Sequence, residues 1–83
     1  MAKKKSLTDE IDLHGLRHKP ALERVKNTLR DREENGSFSL TIITGNSSVL
    51  QDRIFNEILE DSPYEYYIPS WNLGQIIVSY QQW

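Results

Sequence analysis

The chain has 83 residues, 37% of them hydrophobic and 27% charged, enough for one small domain and too few for two. It contains no cysteine, which excludes disulfide staples, a thiolate zinc site and a cysteine nucleophile. No apolar run exceeds four residues, which excludes a membrane-spanning helix. A net charge of −2 hides an asymmetry: residues 1–32 carry nine of the ten Lys/Arg and five acids, whereas residues 33–83 carry Arg53 against seven acids. A basic first third of this kind is suited to a nucleic-acid face.

Residues 1–8, with Lys3, Lys4 and Lys5, read as a flexible basic arm, and residues 9–83 as a single domain. The basic start is not followed by an apolar stretch, so it does not read as a signal peptide, and a cytoplasmic protein is the expectation. Ile11-Asp12-Leu13-His14 alternates apolar and polar residues and ends at Gly15, the pattern of a short half-buried strand with a turn after it. Pro20 suits a first helical turn. Ala21, Leu22, Val25 and Leu29 then recur at helical spacing and predict an amphipathic helix over 19–32, capped near Gly36.

Phe38 to Ile43 is rich in β-branched residues and predicts a second strand. Thr44 to Ser48 is a polar turn, and the Ser48 to Gln51 spacing predicts a capping box for a helix that buries Leu50, Ile54, Ile58 and Leu59. Tyr64 to Trp71, interrupted by Pro69, reads as an edge strand. After a turn at Asn72-Leu73-Gly74, Gln75 to Tyr80 reads as the last and most buried strand. The order βαβαββ predicts a two-layer α/β sandwich: a four-stranded mixed sheet with a parallel first pair, and two helices on one face.

Parallel strands end at one sheet edge, so the loops after the first and second strands should be neighbours there, where open α/β sheets bind ligands. Thr44, Gly45, Asn46, Ser47 and Ser48 would offer a phosphate a close-approaching backbone, hydroxyl and amide donors, and a helix N-terminus. The alternative is an ordinary capped strand–helix junction. Asp12 and His14, two apart on a strand, share a face. A carboxylate beside an imidazole suits acid–base chemistry, although the same pair can simply hold the turn. Arg17, His18 and Lys19 gather where the helix dipole disfavours cations, which hints at an external anion. Tyr64, Tyr66, Tyr67, Trp71, Tyr80 and Trp83 crowd the C-terminal half. Such residues either stack bases or pack across strands, and the acids Glu60, Asp61 and Glu65 nearby argue against RNA there. No metal-ligand spacing and no Walker or Rossmann glycine pattern is present, so no cofactor or metal is expected.

The pattern resembles the Smr (small MutS-related) domain family. Ile11-Asp12-Leu13-His14-Gly15 matches the family's opening L/I-D-L-H-G strand motif, and Ala21, Leu22, Val25 and Leu29 match its first helix. Leu40 to Gly45 and Leu50 to Leu59 match the following strand, glycine loop and second helix. The resemblance implies a βαβαββ sandwich similar to the C-terminal domain of translation initiation factor 3. It also implies nucleic-acid binding and, in several members, endonuclease activity on DNA or on RNA, including mRNA on stalled ribosomes. The cleavage residues of the motif would be Asp12 and His14, and Gly15 belongs to the same motif. Many members carry G-x-G with a basic middle residue in the second loop; here the loop is Gly45-Asn46-Ser47, as in a subset of short stand-alone forms with T-G-N-S. Three functions follow as alternatives. One is a small endonuclease, RNA before DNA. The second is a non-catalytic RNA- or DNA-binding module. The third is a protein-interaction or ribosome-associated adaptor. A monomer is the default, and no membrane partner is expected.

Overall fold

Hydrophobic alternation in the strands and one apolar stripe on each helix decide the layering. The computed structural model describes residues 7–81. Its elements are β1 (Leu7–Asp12), α1 (His18–Glu34), β2 (Phe38–Ile43), α2 (Ser48–Ile54), β3 (Glu65–Tyr67) and β4 (Gln75–Tyr80). A π-helical turn over Phe55–Leu59 continues α2. One mixed sheet runs β1-β2-β4-β3. β1 is parallel to β2, and β4 is antiparallel to both β2 and β3. The expected four-stranded sandwich is the observed one.

Register explains the core. Ile11, Ile42 and Ile76 align across three strands, and Leu40, Val78 and Tyr66 align in the next rank. With Phe38 and Leu13, the aliphatic members of these ranks are buried against Ala21, Leu22, Val25 and Leu29 of α1 and Leu50, Ile54 and Leu59 of the second helical segment. Thr41, Ile43, Ile77 and Ser79 alternate with them onto the other, helix-free face and are half-buried. β2, with three buried residues in alternation, is more buried than β4, which has two. This reverses the expected ranking, because the apolar run Ile76-Ile77-Val78 places Ile77 outward.

Several boundaries move. β1 begins at Leu7 and ends at Asp12, so Leu7 and Thr8 pair with Phe38 and Ser39 although their sequence reads as arm. Pairing of backbone N–H and C=O groups with β2 carries the strand past the alternating segment. Residues 1–6 of the expected arm, and Trp83, lie outside the described residues. His14 lies in a turn, not on the strand. α1 spans 17 residues. β3 is three residues long, because Pro69 lacks the N–H to continue a ladder and is instead buried after the strand.

The sheet end away from the β1–α1 loop is tied by charge and aromatic packing. Asp9 faces the helices from β1 and pairs with Arg32 of α1, which also bonds Asp31 at 2.6 Å. Tyr64 donates its hydroxyl to Glu33 at 2.6 Å and packs edge-on against Phe38 and Tyr80. Burial, reinforced by Glu33, raises the Tyr64 hydroxyl above the ordinary phenol range. The Arg32 hydrogen bond, followed by the Glu10 backbone N–H, holds the Asp9 carboxyl below its ordinary value. A lowered carboxyl adds stability that is fully present above the ordinary aspartate range and lost as pH falls through the folded-state value. Both side chains are partly solvated, so the pair is worth at most about 1 kcal/mol. Arg32→Ala should therefore lower stability to urea at neutral pH, and the gap from the unsubstituted protein should close in strong acid. A gap that persists there would assign the loss to packing.

Candidate functional site

The parallel pairing of β1 with β2 ends at Asp12 and Ile43, and Ile43 stands opposite Gln75 at the start of β4. Three loops, 13–17, 44–47 and 68–74, therefore meet at the carboxyl edge of β1 and β2. Both helices begin at this edge.

Loop 13–17 is fixed first. The Leu13 N–H donates to Ile43 O at 2.8 Å and extends the ladder by one bond, and the Leu16 N–H donates to Leu13 O at 2.9 Å and closes a turn. Gly15 sits in that turn at φ 86°, a left-handed value that L side chains avoid. A Cβ there would meet nothing within 4 Å, so the requirement is conformational. Leu13 is fully buried, and its neighbours Asp12 and His14 are both exposed to solvent. The two residues interact through the main chain: Asp12 Oδ1 accepts the backbone N–H of His14 at 3.0 Å. The carboxylate thus fixes the peptide that carries the imidazole, and among the described residues the ring itself has no hydrogen-bond partner.

The second loop reaches His14 through Gly45. A Cβ on Gly45 would lie 3.8 Å from His14 Cδ2 and 3.9 Å from His14 Cβ, so the imidazole lies alongside this glycine. The loop is held from the other side by the loop before β4. The N–H groups of Thr44 and Gly45 both donate to Gly74 O, at 2.8 and 3.1 Å, and Thr44 Oγ1 lies 3.1 Å from the same oxygen. Gln51, 8% exposed, donates Nε2 to Thr44 Oγ1 and to Leu73 O, each at 2.8 Å. A Cβ on Gly74 would stand 3.1 Å from Gly45 O, a tight contact that would press the two backbones a few tenths of an ångström apart.

This network reassigns several expected donors. Thr44 is buried and bonded internally, and the Gly45 N–H is spent on Gly74; neither faces outward to an anion. Ser47, not Ser48, caps α2, accepting the Leu50 N–H at 3.2 Å, because Gln51 is drawn inward and is not free to close a box with Ser48. Asn46 and Ser48 are exposed and Ser47 is half-buried. α2 has seven residues of α form before the π turn, which limits its dipole. α1, with 17 residues, begins at Arg17, which makes no side-chain cap, and has no acid in its first turn. Arg17 and Lys19 are exposed there and His18 is half-buried, so an external anion would meet cations and uncapped amides.

Gln51 and the Leu73–Gly74 turn are the residues that sequence reasoning passes over. The signal lies in the helical stripe: Gln51 falls between Leu50 and Ile54 on the buried side, and a buried amide requires partners. Among the described residues no group of three His, Cys, Asp or Glu could hold a metal, and no helix is long and apolar enough to cross a membrane. Gln51→Leu should lower stability by about 1–3 kcal/mol, as expected for buried partners left unpaired, and should shift the NMR signals of the His14 ring through the displaced Gly45. A destabilised variant with an unmoved His14 spectrum would show that the clamp does not position the ring.

The Smr domain family model matches residues 11–67, from the end of β1 through β3. Comparison with curated proteins finds no match, and comparison with solved structures finds none. The matched stretch is more than half of the chain and contains the strand–turn that presents Asp12 and His14, both helices and the Gly45 loop; the chain belongs to the Smr domain family.

Proposed function

We propose that this Smr domain binds nucleic acid at the carboxyl edge of β1 and β2, RNA in preference to DNA, with His14 as the acid–base group of strand cleavage. The observation that supports this reading is the placement of the exposed His14 ring beside Gly45, at the edge where Arg17 and Lys19 open an uncapped helix. A phosphate there would meet the two cations and the outer donors Asn46, Ser47 and Ser48. His18, one turn on, would add a further donor, and Gly15 would keep the turn that aims His14.

For RNA the chemistry needs no metal. The imidazole takes the proton of a 2′-hydroxyl, the 2′-oxygen attacks the adjacent phosphorus, the bond to the 5′-oxygen breaks, and solvent protonates the leaving oxygen. Asp12 acts through the peptide of His14 and holds the turn that aims the ring. Acid–base groups of this kind contribute roughly 10²–10⁴-fold in rate. A labelled RNA should be cut to a cyclic phosphate end, and His14→Ala should lower the rate by about that factor while leaving affinity within twofold. Equal cutting by both proteins would remove His14 from the reaction.

Two features favour the alternative of a binding module without cleavage: the imidazole has no orienting partner among the described residues, and the Thr44 and Gly45 amides are committed to Gly74. Binding by the unsubstituted protein without any cutting would select that reading. In either case Arg17→Ala should weaken binding and reduce the slope of log affinity against log salt by about 0.7 on single strands. An unchanged slope would place the backbone contact elsewhere.

A further inference from the structure

The fold separates the aromatic residues that the sequence crowds together. Tyr64 and Tyr80 pack with Phe38 at the far end of the sheet, and Tyr66 lies on Phe55 at 5.4 Å. Trp71 does none of this. It is 73% exposed, in the turn that leads to Gly74.

Its surroundings differ from those of the other aromatics. Among the described residues the exposed large hydrophobics are Leu16, Val49, Tyr66, Tyr67, Trp71 and Leu73. Four of the six lie on loops or a helix start at the carboxyl edge. Exposed apolar residues scattered singly need no explanation, but Trp71 is the largest and the most exposed of these four. The acids that weigh against RNA in the sequence are also removed. Glu65 stands opposite Ser79, about 13 Å along β4 from Gln75, and Glu60 and Asp61 follow the far end of the second helical segment. Residues 66–83 carry no charged side chain, so the Trp71 turn opposes a polyanion with no charge of its own.

The turn is also held. The Asn72 N–H donates to Pro69 O at 3.2 Å, Asn72 Oδ1 accepts the Gly74 N–H at 2.9 Å, and Leu73 O and Gly74 O are bonded to Gln51 and the second loop. Trp71 and Gly74 are three Cα–Cα steps apart, so their Cα atoms are at most about 11 Å apart. A strand lying across His14 and Gly45 therefore runs beside a turn whose backbone is held and whose indole is exposed.

We propose that Trp71 is a stacking platform for an unpaired nucleobase, which makes single-stranded nucleic acid the ligand class of this edge. A duplex keeps its base faces covered, whereas a single strand offers them to an aromatic ring. The inference rests on the nucleic-acid reading of the same edge. It concerns residues beyond the stretch matched by the family model, which ends at residue 67.

The test is the anisotropy of an end-labelled single-stranded RNA and of the same label on a matched duplex, titrated at low salt with the full chain and with Trp71→Ala, Trp71→Phe and Arg17→Ala. Trp71→Ala should weaken single-strand binding about ten- to hundredfold and leave duplex binding within twofold. Trp71→Phe should retain most of the single-strand affinity, and Arg17→Ala should weaken both ligands. Trp71→Ala that leaves single-strand affinity within twofold, while Arg17→Ala still weakens it, would overturn the platform but keep the nucleic-acid reading, and would leave the indole to a protein contact. Equal loss on both ligands would also overturn the platform. Absence of binding to either ligand by the unsubstituted chain would overturn both readings. Trp71→Ala is expected to melt with the unsubstituted protein, since the indole is exposed.

Discussion

The carbonyl oxygen of Gly74 is the point on which the site edge depends. It accepts the N–H groups of Thr44 and Gly45 and lies within reach of the Thr44 hydroxyl, which saturates the lone pairs of one acceptor. Gln51 closes the arrangement from α2 by bonding both Thr44 and Leu73. The β2–β4 ladder ends at Ile43 and Gln75, and beyond it the two loops are held together by a single carbonyl and a buried amide. The missing side chain of Gly74 lets the two backbones approach, and Gly45 holds a left-handed φ of 70° that favours glycine.

The same clamp decides what the edge offers to solvent. By turning the Thr44 and Gly45 amides inward it removes the most obvious phosphate cradle, and by seating Gly45 beside His14 it gives the imidazole a wall. Charge then comes from the other side, where α1 opens with Arg17 and Lys19 and no acid in its first turn. Asp12 holds the peptide of His14 and so contributes to the aim of the ring through the main chain. The exposed imidazole of His14 and the cations Arg17 and Lys19 thus stand at one edge, at and just after the end of β1.

The two ends of the sheet are built from different materials. At the far end, Arg32 with Asp9 and Tyr64 with Glu33 join α1 to the strands, and Phe38, Tyr64 and Tyr80 pack together. At the near end the stabilising contacts are backbone hydrogen bonds between loops, and the exposed hydrophobics Leu16, Val49, Trp71 and Leu73 remain in solvent. A small domain buries only part of the surface of its chain, and the indole on this held turn is among the side chains left in solvent.

Residue periodicity by itself determined the element order and the layering, because side-chain direction on a strand or helix repeats with the backbone. The Ile11 to Gly15 motif with the helix after it also sufficed to indicate the family. Element ends were less legible: β1 begins at Leu7, and β3 stops before Pro69. What only the tertiary structure decided is how groups distant in sequence share donors. Ser48 and Gln51 have the spacing of a capping box, yet Gln51 turns inward to Thr44 and Leu73, seven and 22 residues away, and Ser47 takes the cap. The aromatic and acidic residues of the C-terminal half read as one cluster along the chain, and the register of β3 on β4 sends Glu65 to one end of the sheet and Trp71 to the other. Local pattern fixes which way a side chain points; which buried polar group finds which partner depends on contacts that no local spacing encodes.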